Sequence, residues 1–137
     1  MLSRSTYIAV GQVPRSRVLV VDDEPLIRWS IAESLSACGY WVVEAGTGRA
    51  ATEELSRAND AFDVVVLDLR LPDSNNLSLL TRLLDLAPRV RIILMTAHGT
   101  EDVAEEAHAR GAFGFVNKPF ELSAMASMVE AASRAAA

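Results

Sequence analysis

Four short apolar runs each end in a residue able to handle a phosphoryl group: Asp22 and Asp23 after RVLVV, Asp68 after FDVVVL, Thr96 after VRIILM, and Lys118 after AFGFVN. A carboxylate can act as a nucleophile or hold a cation, a hydroxyl can donate to an oxyanion, and an ammonium can offset its charge. If the four runs are parallel strands of one sheet, these groups meet at its carboxyl edge. Open α/β sheets place their ligands there.

The elements that would position them alternate regularly from Arg17 onward. Strands are predicted at about 17–22, 41–45, 62–67, 90–95 and 113–117. All but the second are continuous Val/Ile/Leu/Phe-rich runs, the pattern of strands covered on both faces. The second is shorter and suits an edge. Helix one opens at Pro25, carries Ile27, Ile31, Leu35 and Cys38 on one face, and stops at Gly39. Helix two spans about Thr47 to Ala58, and helix three about 77–87, ending before Pro88. Helix four begins near Thr100, with Glu101 and Asp102 in a first turn that favours anions. Helix five follows Phe120, with Leu122, Met125, Met128, Val129 and Ala132 as a core stripe. Right-handed crossovers then give a doubly wound five-stranded parallel α/β sheet, most simply in the order 2-1-3-4-5.

With strands one and three as neighbours, Asp22, Asp23 and Asp68 approach one another, and three like charges repel unless a cation sits among them. A hard divalent ion with oxygen ligands, Mg²⁺, is the expected occupant. The plainer alternative is that Asp22 or Asp23 caps helix one and Asp68 bonds its own loop.

The whole chain agrees with one small domain. Its 137 residues, half of them apolar, suffice for a single core. A net charge of −5 without a clustered basic stripe argues against direct nucleic-acid binding. No run approaches the roughly 18 apolar residues of a membrane span, and YIAVGQV is too short for a secretory signal. The lone Cys38 cannot form an internal disulfide and is read as an ordinary buried thiol, so a reducing cytoplasm is the expected compartment. Residues 1–16, aperiodic and containing Pro14, are read as a mobile tail, 17–134 as the domain and 135–137 as its C-terminal end.

Together, VLVVDDEP, VVVLDLRLP, IILMTAHG and FVNKPF, in this order and spacing, resemble the four signature blocks of the response-regulator receiver domains of two-component signalling. The resemblance covers about residues 17–133 and implies the flavodoxin-like receiver fold. It implies that Asp68 is the phosphoacceptor, that Asp23 binds Mg²⁺ directly and Asp22 largely through water, and that the Arg70 backbone carbonyl completes the protein ligands. Thr96 and Lys118 would contact the phosphoryl oxygens, and Lys118-Pro119 would be cis. Arg70 and His98 stand where the family modulates the lifetime of the aspartyl phosphate, and Thr96 with Phe115 would form the switch. RWS in helix one and TAHGT after strand four look most like receivers of nitrogen-regulator-type transcriptional activators. Implied partners are a sensor histidine kinase, an output domain or downstream protein, and a second copy through helix four, strand five and helix five. Leucine-rich helix three is the alternative face, because Leu79 and Leu86 fall off its main stripe.

Two departures from the family pattern stand out. Asp73-Ser74-Asn75-Asn76 replaces the usual acidic residue and glycine, with Asn76 able to take a left-handed conformation, and Phe115 replaces a frequent tyrosine. His108 reads as a surface residue, and Trp29 and Trp41 as partly buried packing at the sheet edge. Besides a phosphorylatable receiver, which catalyses only its own phosphorylation and dephosphorylation, two readings use the same residues. An aspartate-nucleophile phosphatase or phosphotransferase usually has a second acid two residues after the nucleophile, where this chain has Arg70. A binding-only pseudo-receiver would normally have lost an acidic-pocket residue, and none is lost.

Overall fold

The computed structural model describes residues 16–57, 61–74 and 76–136. The expected tail, except Ser16, the expected end of helix two at Ala58, and Asn75 lie outside the described residues. Five parallel strands, β1 (Arg17–Val21), β2 (Trp41–Ala45), β3 (Val64–Asp68), β4 (Arg91–Thr96) and β5 (Gly114–Asn117), form one sheet in the order β2-β1-β3-β4-β5. Helices α1 (Pro25–Ala37), α2 (Gly48–Arg57), α3 (Ser78–Leu86), α4 (Glu101–Ala109) and α5 (Leu122–Ala136) cross between the strands and close the chain.

Alternation within the buried strands divides the core in two. Leu19, Val21, Val65, Leu67, Ile92 and Leu94 pack with Ala51, Leu55, Leu80 and Leu83 on one face. Val18, Val20, Val64, Val66, Ile93 and Met95 pack with Ile31, Leu35, Met125 and Val129 on the other. Because both faces of β1, β3 and β4 are covered, their central residues are apolar throughout, whereas both edge strands are partly exposed: β2 as expected, and β5, expected to be covered on both faces, with no buried residue because it has a neighbour on one side only.

Strands β3 and β4 run one residue further than expected, and that places chemistry inside the sheet. Asp68 is opposite Met95 in register, and the Leu69 N–H still bonds the Met95 carbonyl at 2.8 Å. Thr96 closes β4, its carbonyl accepting from the Lys118 N–H at 2.7 Å. Lys118-Pro119 is cis. Thr47 and Thr100 accept backbone N–H bonds from Ala50 and Val103, which caps α2 and α4.

Three packing expectations are corrected. Cys38 is exposed, because it follows the last residue of α1, where Gly39 at φ 94° turns the chain away. Its place on the buried face is taken by Ala32 and Ser36. Leu79 is buried against α2, so only Leu86 remains as an exposed leucine off the α3 stripe. Leu122, in the first turn of α5, is exposed rather than part of the core stripe. Trp29 is about half exposed on α1, and Trp41 is half-buried on β2 under the Arg17 guanidinium.

Candidate functional site

Asp22 leaves the end of β1 with no exposure to solvent, and all its polar groups are engaged. Its N–H bonds the Ala45 carbonyl, its Oδ1 accepts from the Glu24 N–H at 2.9 Å, and its Oδ2 accepts from Lys118 Nζ at 2.9 Å. Asp23, the next residue, is exposed. Asp68 is buried at the end of β3, with Oδ1 bonded to the Arg70 N–H at 3.0 Å and Oδ2 to Lys118 Nζ at 3.2 Å. One oxygen from each of the three carboxylates lies within 4.8 Å of the others. Such a set of hard oxygen donors fits a hard divalent cation. Neither Asp22 nor Asp23 caps α1, whose N-cap Glu24 has no side-chain cap bond, because Asp22 Oδ1 is spent on the Glu24 N–H within its own loop; Asp68 does bond its own loop, and it takes part in the acid cluster at once.

Lys118 is the charge that makes this cluster tolerable in the folded chain. Its ammonium bridges Asp22 and Asp68 and lies 3.8 Å from Glu24 Oε1. Burial works against that charge, yet the hydrogen bond and charge of Asp22, and then those of Asp68, hold the amine above its ordinary value. For Asp68 burial is the largest influence and pushes the carboxyl up. The Arg70 N–H opposes this, the Asp22 charge adds to it, and Lys118 pulls it back. A cation entering the cluster would favour the ionised form that a nucleophile needs.

These groups line an open cleft of about 240 Å³ formed by Asp23, Glu24, Asp68, Arg70, Leu71, Pro72, Ala97 and Lys118. Thr96 is buried beside it, and its Oγ1 accepts from the His98 N–H at 3.2 Å. Because a hydroxyl both accepts and donates, this loop bond leaves the Thr96 proton available to a third group. His98 and His108 are exposed. Phe115 is half-buried under the β4–α4 loop, so close to Gly99 that a Cβ there would meet its ring carbons at 2.5 and 2.6 Å.

Several residues of consequence have contacts that their sequence blocks do not disclose. Glu24 is a fourth acid in the cleft, and its adjacency to Asp22-Asp23 was a readable signal. Arg28 reaches from α1 to the Asp22 carbonyl and Glu44, contacts that depend on helix placement. Asp73, which reads as a loop departure, caps α2: its two oxygens accept from the Gly48 and Arg49 N–H groups at 2.8 and 2.9 Å. The Gly48 bond, then the Arg49 bond, hold its carboxyl below the ordinary range. Asn76 accepts from the Ser78 N–H at 2.9 Å at the start of α3.

The family model for the response regulator receiver domain matches residues 18–130. The chain is 37% identical over 115 residues to the DNA-binding transcriptional regulator NtrC of Azospirillum brasilense, covering 84% of this chain and 24% of that protein. It is 34% identical over 120 residues to the response regulator protein PilR of Pseudomonas aeruginosa, covering 88% and 26%. It thus spans about a quarter of the length of these curated relatives. Among solved structures, the beryllofluoride-activated NtrC4 receiver domain dimer superposes with a TM-score of 0.82 at 32% identity, covering 88% of this chain and 98% of that one.

Proposed function

Because the chain belongs to the response-regulator receiver domains, signalling switches rather than classical enzymes, we propose that Asp68 is its phosphoacceptor and a histidine kinase its phosphoryl donor. The observation that carries this reading is the meeting of three carboxylates within 4.8 Å, two of them, Asp22 and Asp68, bridged by Lys118, at the carboxyl edge of a parallel sheet. A carboxylate oxygen of Asp68 attacks the phosphorus of a phosphohistidine. The P–N bond breaks as the P–O bond forms, and the imidazole leaves with a proton from solvent. Asp23, Asp68 and the Arg70 carbonyl would hold Mg²⁺ directly and Asp22 largely through water, and the bound ion would supply charge neutralisation for the transferring group.

The chain's own residues do the rest. Lys118, already between Asp22 and Asp68, exchanges a carboxylate oxygen for a phosphoryl oxygen. Thr96 donates its hydroxyl proton to another and is drawn toward the acceptor. Ala97 keeps the cleft open, while Arg70 and His98 stand beside it and tune the lifetime of the acyl phosphate. Moving Thr96 vacates space into which Phe115 turns, and α4, β5 and α5 repack as the face presented to an output domain, a downstream protein or a second copy. Among the described residues no helix is long and apolar enough to cross a membrane. A cytoplasmic setting accords with a kinase partner.

The test is Mg²⁺-dependent phosphoryl incorporation from a phosphorylated kinase domain or acetyl phosphate, read by intact mass. Wild type should gain one phosphoryl group and Asp68→Asn none. Labelling of Asp68→Asn at the wild-type rate refutes the assignment.

A further inference from the structure

Resting on the metal-dependent reading above, we infer that Arg28, which lies behind the cleft rather than in its lining, is the positioning residue that sets the cation-binding geometry of the Asp22–Asp23 loop. Arg28 Nη1 donates to the Asp22 carbonyl at 2.8 Å. That carbonyl belongs to the peptide joining Asp22 to Asp23, so the bond orients the plane from which Asp23 leaves. On the other side of the residue, the Asp22 N–H is tied to the Ala45 carbonyl at 3.1 Å. The backbone of Asp22 is therefore held from α1 and from β2 at once.

The guanidinium is itself held. Its Nε bonds Glu44 Oε1 at 3.1 Å, and each of the two side chains is only 22% exposed. Glu44 lies on β2 opposite Val20 in the register, so the strut is footed in the sheet. The space it occupies depends on Gly46, where a Cβ would lie 3.1 Å from Nη1. Two N–H groups of one planar fork serve acceptors on different elements, which a lysine ammonium on a flexible stem reproduces poorly. Arg28 does not line the cleft and touches no group that would transfer. Its effect passes through the loop.

Groups that orient metal ligands typically change metal affinity by about 10- to 100-fold when removed. Arg28→Ala, titrated calorimetrically with Mg²⁺ alone, should bind about tenfold more weakly, and Arg28→Lys and Glu44→Gln should fall between it and wild type. In metal-free protein, amide exchange at Glu24, whose N–H bonds Asp22, should speed up in the same order. Acetyl phosphate labelling of Arg28→Ala should return to near the wild-type maximum at saturating Mg²⁺, because the acceptor and Lys118 are untouched. Mg²⁺ affinities of Arg28→Lys and Glu44→Gln within about twofold of wild type, with unchanged Glu24 exchange, would overturn the proposal even if Arg28→Ala unfolds. A wild type that binds Mg²⁺ without taking a phosphoryl group, with Arg28 variants still binding weakly, would remove the functional reading and leave this one standing.

Discussion

Replacing Lys118 with Met should destabilise the metal-free protein by about 3 kcal/mol, the lower end of what removing one partner from a buried ion pair costs. The Lys118 ammonium lies 2.9 Å from Asp22 Oδ2 and 3.2 Å from Asp68 Oδ2, with these side chains 0% and 6% exposed. Without it, two carboxylates with oxygens no more than 4.8 Å apart face each other across protein. At an effective dielectric constant of about 20, that repulsion is about 3 to 4 kcal/mol. Protonation of Asp68, whose carboxyl is already pushed up by burial, offsets part of it. The assay is urea unfolding at pH 7 in EDTA, with the single variants and the Lys118→Met/Asp22→Asn pair forming a cycle. The paired variant should recover most of the loss, because one of the two repelling charges is gone. The pH profile carries a second signature. A lysine held above its ordinary value contributes stability fully below that value, and the contribution is lost as pH rises through the folded one. The alkaline decline of the wild type should therefore be shallower in Lys118→Met. A loss below about 1 kcal/mol, the scale of an exposed ion pair, would mean that solvent screens the cluster and that Lys118 is not its counter-charge.

Three further outcomes follow from the same geometry. Asp68→Asn should raise the urea midpoint of metal-free protein at pH 7, because an acid held above its ordinary value penalises folding wherever it is ionised; a lowered midpoint contradicts the burial argument. Asp73→Ala should cost about 1 kcal/mol, allowing for its exposure, by uncapping α2. Its carboxyl is held low, so this stability is present above the unfolded value near 3.9 and disappears as pH falls through the folded one; an equal deficit at pH 7 and pH 2 refutes the cap. Gly99→Ala should overpack the β4–α4 loop against the Asn117 side-chain oxygen and the Phe115 ring at about 1 to 3 kcal/mol and shift α4 amide resonances without any phosphoryl group; if Phe115→Ala and Asn117→Ala together in the same chain do not relieve the cost, the clash lies elsewhere.

The parts of this site that were legible in the chain are those whose position follows from the sheet alone. Asp22, Asp68, Thr96 and Lys118 lie at or just beyond the ends of parallel strands, so an apolar run and its terminal polar residue suffice to bring them together. The misjudged residues depend on where helices sit against one another. Leu79 looked free on a helical wheel because the wheel contains no α2, and Cys38 looked buried because periodicity does not register a turn at Gly39. Arg28 and Asp73 are ordinary surface residue types; the Glu44 carboxylate that holds Arg28 lies 16 residues away and the Gly48 N–H that Asp73 caps lies 25 away, and no local pattern links them. Both act on the orientation of loops rather than on the identity of the reacting groups. Two chains with the same four blocks can therefore share the chemistry of Asp68 and yet differ in cation affinity and in the tether between the β3–α3 loop and α2. Replacements at Arg28, Glu44 or Asp73 should change how firmly the acid cluster is held while leaving its composition intact.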